Sequence, residues 1–288
     1  MLLESVEYVR PESVDEALGV LGAVDGAAVL AGGQSLLNVL KNRVASVDAL
    51  VDISRLPELR AIERGSDGSL ALGACVTYDE LDRSADVRQG HAVLAEVAGH
   101  IEDQQIRNRG TIGGNCCLGD PTNNLPPLLI ALGATMNIQS TSGIRQVAAE
   151  EFFFAFFSTA VKQDEILRSI TIPPVAPGAG VGYQSLAVAA DAKAIVRASA
   201  YVRASETIED ARIVLSVVGP RPVRHTGMEE RLRGAATTAE AVVSASEAIG
   251  EDIEPVSDAH GSADYRRRMA RVVARRAVNE AIARGASR

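Results

Sequence analysis

Cysteine is scarce: Cys75, Cys116 and Cys117 are all that 288 residues contain. An odd count with two adjacent members is no disulfide framework, and no C-x-x-C pair occurs. Adjacent thiols cannot easily address one metal, and His91, His100, His225 and His260 are scattered. No metal and no iron–sulfur cluster is therefore expected on this chain, and the cysteines read as small buried apolar side chains. Lysine is scarcer than arginine, with Lys41, Lys162 and Lys193 the whole set. No apolar run approaches the roughly 20 residues that cross a bilayer, so no membrane span is expected. The opening MLLESVEYVRPES has early acids in place of a basic-then-apolar leader, which points to a cytoplasmic protein. Also missing are the dinucleotide fingerprint G-x-G-x-x-G and the P-loop G-x-x-x-x-G-K-[ST]. Their absence disfavours a Rossmann nicotinamide site and a P-loop ATPase.

What remains is a chain of 30.2 kDa, 47% hydrophobic and 23% charged, long enough for two domains with substantial cores. The net charge of −8 gives nucleic acid no general attraction. One local exception is Arg266, Arg267, Arg268, Arg271, Arg275 and Arg276, with Met269, Val272, Val273 and Ala277 at helical spacing beneath them. This reads as an amphipathic helix with a solvated basic face, a partner-docking surface being the alternative.

Along the chain, Ser13–Leu21 has helical spacing, and the apolar run Ala27–Ala31 is a strand ending at Gly32-Gly33. Helical spacing resumes at Leu36, and Ala49–Ile53 reads as a strand. Leu59–Glu63 and Ser69–Cys75 form a hairpin across Ser66-Asp67-Gly68. Thr77 and Glu80 form a capping box, and a longer helix covers His91–His100. Pro126 and Pro127 suit the first turn of a helix capped by Asn123 or Asn124. Strands at Thr135–Gln139 and Ile166–Ile172 complete an α+β half. The run Pro173–Gly180 can propagate neither helix nor sheet, which places a boundary between residues 1–175 and 176–288. Beyond it, Gly182–Val188, Ala194–Val202 and Ala211–Val218 read as a three-stranded antiparallel sheet. Helices at Met228–Arg233, Ala239–Ala248 and Asp264–Arg284 would back it, a small α+β C-terminal domain.

Two glycine turns carry the chemistry: Ala31-Gly32-Gly33-Gln34-Ser35-Leu36 and Thr111-Ile112-Gly113-Gly114-Asn115. Paired glycines allow positive φ and bring backbone N–H groups close to a ligand, and successive N–H groups make anion nests. Gln34, Ser35, Thr111 and Asn115 add donors for phosphate oxygens. Two such turns are expected to hold a diphosphate from both sides, a non-Rossmann site for a diphosphate-bearing cofactor.

The segments AGGQSLLNVLKNR and RNRGTIGGNCCLGDPTNNLPPLLIALGA, about eighty residues apart, resemble the FAD-binding medium subunit of molybdenum hydroxylases. That family includes carbon monoxide, nicotine and caffeine dehydrogenases and the flavin domain of xanthine dehydrogenase. The resemblance spans nearly the whole chain. It implies a two-part vanillyl-oxidase-type (PCMH-like) FAD-binding domain followed by the family's C-terminal domain. It also implies FAD contacts from Leu30, Ala31, Gly32, Gly33, Gln34, Ser35 and Leu36, and from Thr111, Gly113, Gly114 and Asn115. Leu167 and Ile101 match cofactor-proximal positions. Asn124 stands where relatives often have aspartate and Gln184 where they often have lysine, so their roles depart from the pattern. Carbon monoxide dehydrogenase subunits carry histidine at the Gln34 position, which points to a relative acting on an organic substrate.

The same resemblance implies molybdopterin on a large partner subunit, [2Fe–2S] clusters on a small one, a doubled heterotrimer, and an external electron acceptor. No catalytic side chain is required of this chain. Three rival readings are a stand-alone flavin reductase such as the enolpyruvyl-sugar reductase of cell-wall synthesis, a non-enzymatic α+β binding module, and a nucleic-acid face on the arginine-rich helix. The first needs a serine-and-glutamate proton-donating arrangement that has no match here.

Overall fold

The computed structural model describes residues 3–189, 193–250 and 252–287. A parallel three-stranded sheet opens the chain, with Ala49–Asp52 between Glu7–Val9 and Ala27–Leu30. The helix Val14–Ala23 covers it, capped by the Ser13 hydroxyl and burying Val14, Ala17, Leu18 and Leu21. Next comes a five-stranded antiparallel sheet in the order Ile62–Arg64, Leu70–Gly73, Ile166–Ile172, Thr135–Ser140, Gly143–Ala148. These two sheets build the first half of the chain as two parts. The last sheet has four strands: Ala179–Leu186, Val196–Ala204, Ile208–Ser216 and Val223–Arg224. The helix Ala263–Ala286 lies on it so closely that a Cβ at Gly180 or Gly182 would meet the carbonyl of Ala281 or Ala277 at 2.0 Å.

Several expectations need correction. The C-terminal sheet has four strands and not three, because the two-residue strand Val223–Arg224 is too short for any periodicity. The ladder begins at Ala179, inside the run expected to exclude it, since a glycine–alanine pair is no barrier once the prolines end. The hairpin pairs Ile62–Arg64 with Leu70–Gly73, while Pro57–Leu59 forms a 3-10 turn. The helix expected from His91 begins at Ala85, capped by Ser84, and kinks at His91, whose φ of −139° is not helical. The strands Glu7–Val9 and Gly143–Ala148 had no sequence signal, since neither contains a fully buried residue. The arginine-rich helix is not uniformly solvated. Arg266 is only 2% exposed and bonds to the Ile195 carbonyl and Asp258.

The boundary does not divide the core. One large apolar cluster joins Leu72, Leu94, Leu128 and Ile170 to Ala179, Val181, Tyr201 and Val214 from beyond it. All five phenylalanines fall in residues 152–157. Phe152 and Phe153 are buried, while Phe154, Phe156 and Phe157 project from the short hairpin of Phe153–Ala155 and Ser158–Thr159.

Candidate functional site

The first turn leaves the parallel sheet at Leu30 and enters the helix Leu36–Lys41. Gly33 has φ +75°, which only glycine adopts without strain. The turn's carbonyls are used internally: Leu37 N donates to Gly33 O, Asn38 Nδ2 to Gln34 O and Val39 N to Ser35 O. Gln34 Nε2 donates to Gly32 O at 3.3 Å and braces the turn. Its amides are a different matter. No hydrogen bond among the described residues is donated by the backbone N–H of residues 32–36. A run of unused amides at a helix start is an anion nest.

The second turn is built differently, against expectation. Thr111 Oγ1 caps the helix Ile112–Cys117 by accepting from Gly114 N at 3.0 Å. Ile112 N is taken by Val76 O and Gly113 N by Ala74 O, both at 2.9 Å. These amides are therefore spent inside the protein and not offered to a diphosphate. The glycines serve close approach instead. A Cβ at Gly113 would lie 2.5 Å from Ala74 Cβ, and one at Gly32 would lie 2.2 Å from Arg109 O. The two turns thus abut through backbone.

What the second turn offers a ligand is Asn115. It is buried, donates Nδ2 to the Tyr78 hydroxyl at 2.9 Å, and accepts Asn123 Nδ2 on its main-chain oxygen at 2.7 Å. Its Oδ1 has no partner among the described residues. A buried polar atom without a partner is uncommon and marks a place where a ligand donor completes the network. Burial pushes the Tyr78 hydroxyl above its ordinary pKa, with the Asn115 bond acting the other way, so it stays protonated.

Between the turns lies a cavity of about 570 Å³, within the range of cofactor sites. Ala31, Gly32, Gly33, Gln34, Ser35 and Leu36 line one side, and Thr111, Gly113, Gly114 and Asn115 another, with Leu167 adding an apolar wall. The other four anticipated residues lie elsewhere. Leu30 ends its strand, half-buried, with Cδ1 close to Gly33. Ile101 is buried in the central apolar cluster. Asn124 sits at the helix N-cap without a side-chain cap bond, beside the Tyr183 hydroxyl. Gln184 donates Nε2 to Glu280 at 2.9 Å on the C-terminal helix.

Lining residues that the sequence reading missed are Cys75, Tyr78, Cys117, Asn123, Phe157 and Glu165. Burial pushes the Cys75 and Cys117 thiols up to about 12, so both remain neutral. Glu165 is the one charged side chain on the wall. Arg145 grips it through Nε at 2.8 Å and Nη2 at 2.7 Å, and holds its carboxyl below the usual range against the opposing effect of burial. Among the described residues the wall thus offers neutral thiols and one carboxylate already held by Arg145. Among the described residues no group of three or more His, Cys, Asp or Glu side chains could hold a metal, and no helix is long and apolar enough to cross a membrane. A second cavity of about 350 Å³, lined by His91, Leu132, Glu280 and Arg284 among others, contains none of the anticipated residues.

Residues 4–175 match the model of the FAD binding domain in molybdopterin dehydrogenase, and residues 182–281 that of the CO dehydrogenase flavoprotein C-terminal domain. The chain belongs to the flavoprotein family of molybdopterin dehydrogenases. Among members of that family, it is 39% identical to the carbon monoxide dehydrogenase medium chain of Hydrogenophaga pseudoflava, over 99% of each chain. It is 31% identical to the nicotine 6-hydroxylase medium subunit of Paenarthrobacter nicotinovorans, over 99% of this chain and 100% of that one. The solved carbon monoxide dehydrogenase of Hydrogenophaga pseudoflava superposes with a TM-score of 0.95 at 38% identity, covering 99% of both chains. Members of this family are oxidoreductase components, and FAD is the cofactor of the first matched domain. The unused amides of residues 32–36, the orphaned Asn115 Oδ1 and the cavity volume fit that cofactor.

Proposed function

We propose that this chain is the electron-transfer link of a molybdenum hydroxylase. In that role it receives electrons from [2Fe–2S] clusters on a small partner and delivers them to an external acceptor. A large molybdopterin partner would hydroxylate the substrate, and the assembly would be a doubled heterotrimer in the cytoplasm. The observation that carries this reading is the run of unspent amides at residues 32–36 beside a cavity whose one carboxylate among the described residues, Glu165, is already held by Arg145. Such a site suits a cofactor that does its own chemistry. Bound FAD supplies the ability to take up electrons singly and discharge them singly or in pairs.

The chain's own contribution is positioning. Amides 32–36 hold the diphosphate, and Ser35 and Gln34 lie beside it. Asn115 Oδ1 would accept a hydrogen bond from the cofactor, and Leu167, Cys75 and Cys117 would form an apolar wall against it. Leu30 supports the first turn from behind. Ile101, Asn124 and Gln184 act at most through the residues they pack on. The domain boundary at 175/176 is kept as a division of roles, with cofactor contacts before it and packing support after it.

For the substrate, two observations pull apart. Glutamine at position 34 favours an organic, N-heterocyclic or similar compound, while 39% identity to a carbon monoxide dehydrogenase medium chain favours carbon monoxide. Assaying the complex with both separates them. The test of the main reading is purification from the native host with partners retained. Flavin bands over an iron–sulfur background, with FAD released on denaturation, are expected. A colourless, partnerless protein unable to take up added FAD would refute it.

A further inference from the structure

The C-terminal sheet reaches the flavin cavity through one loop, residues 119–124, which joins the second glycine turn to the helix Leu125–Ala131. Three donors from the C-terminal half converge on it. Lys193 Nζ meets Asp120 Oδ2 at 3.1 Å, and the buried Ser216 hydroxyl donates to the Pro121 carbonyl. Arg197 Nη1 donates to the carbonyls of Thr122 at 2.6 Å and Asn123 at 2.8 Å. Asn123 lines the cavity and holds the Asn115 main chain, whose side chain carries the orphaned Oδ1. A continuous line of contacts thus runs from Arg197 to the cavity wall.

Arg197 is not an ordinary clamp. It is 3% exposed, and no carboxylate pairs with it among the described residues. Among the described residues its Nε has no partner, and the Tyr183 ring lies 5.8 Å from the guanidinium. A buried charge with neutral partners alone is unfavourable for folding, and a neutral donor could grip two carbonyls at lower cost. Asn123, whose carbonyl it holds at 2.8 Å, lines the cavity, so the charge sits directly behind that wall.

We infer that Arg197 is a positioning residue for the flavin: it fixes the Thr122–Asn123 backbone that sets Asn115, and its charge, paired with no carboxylate among the described residues, favours the negative charge that the cofactor gains on reduction. This rests on the FAD reading above. The test uses the assembled complex with Arg197→Met, Arg197→Lys and Ser216→Ala, measuring the rate of FAD release and the flavin midpoint potential against redox dyes. Arg197→Met, which loses both charge-assisted bonds to the loop, should release FAD at least about tenfold faster and show a more negative potential. Arg197→Lys should restore the potential while release stays fast, because the charge returns on a shorter side chain that stops short of the two carbonyls Nη1 now holds. Ser216→Ala, which loosens the same loop without removing a charge, should leave the potential at the wild-type value. If Arg197→Met does not assemble, Arg197→Gln carries the same expectation. Wild-type potential and release rate in the neutral variants would overturn the inference, as would an equal potential shift in Ser216→Ala. A wild-type complex without FAD would instead overturn the functional reading beneath it.

Discussion

Replacing Gly32 by alanine isolates the contact between the two turns. A Cβ there would lie 2.2 Å from Arg109 O, 2.8 Å from Arg109 C and 2.9 Å from Gly110 Cα. All three are backbone atoms, so no side chain can swing aside. Ordinary contact needs about 3.5 Å, so the turns must part by roughly 1 Å. Forcing atoms into a packed site costs about 1–3 kcal/mol of stability. Moving the amide nest by that distance also loses at least one charge-assisted bond to the diphosphate, about 1.5–3 kcal/mol, or roughly ten- to a hundredfold in FAD affinity. Gly19 is the control: it lies in the helix Val14–Ala23, with nothing within 4 Å of an added Cβ. Gly19→Ala should raise stability by about 0.5–1 kcal/mol and leave FAD binding alone. Denaturant unfolding with and without added FAD, together with FAD content after purification, reads both effects. Wild-type midpoint and full FAD content in Gly32→Ala would show that the turns do not abut as described.

Two further predictions concern the cavity wall. Glu165 has a depressed pKa in the folded protein, so its contribution is present above the ordinary carboxylate value and is lost as pH falls through the lower folded value. Glu165→Gln should therefore cost about 1–3 kcal/mol at neutral pH and progressively less in acid, which urea titrations at several pH values would show; a pH-independent difference would contradict the Arg145 pairing. Cys75 and Cys117, with pKa values of about 12, should alkylate slowly in the native protein at neutral pH and rapidly after unfolding. Mass spectrometry of the native chain showing fast labelling at either would mean that the wall is open to solvent.

The elements that carry periodicity or a local cap could be read from the chain. The Thr77–Glu80 capping box forms as expected, with both reciprocal bonds present, because it depends on four consecutive residues. The long C-terminal helix also appears, though only its buried stripe shows why Arg266 is inward: it needs the Ile195 carbonyl, 71 residues away. The glycine turns were visible as candidates, but their division of labour was not. Whether Gly113 N is free depends on Ala74 O, a contact across 39 residues that no local pattern encodes. Tyr78 and Asn123 reach the site in the same way, through Asn115. Gln184, matched by position to a cofactor contact, is turned to Glu280 by the helix that packs on its strand. Edge strands such as Glu7–Val9 left no trace because an exposed strand has no burial pattern to betray it.

The shared apolar cluster has a consequence in time. The flavin-binding half cannot close its core with its own residues, since Ala179, Val181, Tyr201 and Val214 belong to that core. On the ribosome these arrive only after the whole first half has emerged, and Val214 follows residue 175 by 39 positions. At about 5–20 residues per second that is a delay of roughly 2–8 seconds. During it both glycine turns exist as sequence, but the wall behind the loop 119–124 is missing. The strand Ile208–Ser216, which carries Val214 and Ser216, thus supplies the last of this support only when three-quarters of the chain has been made.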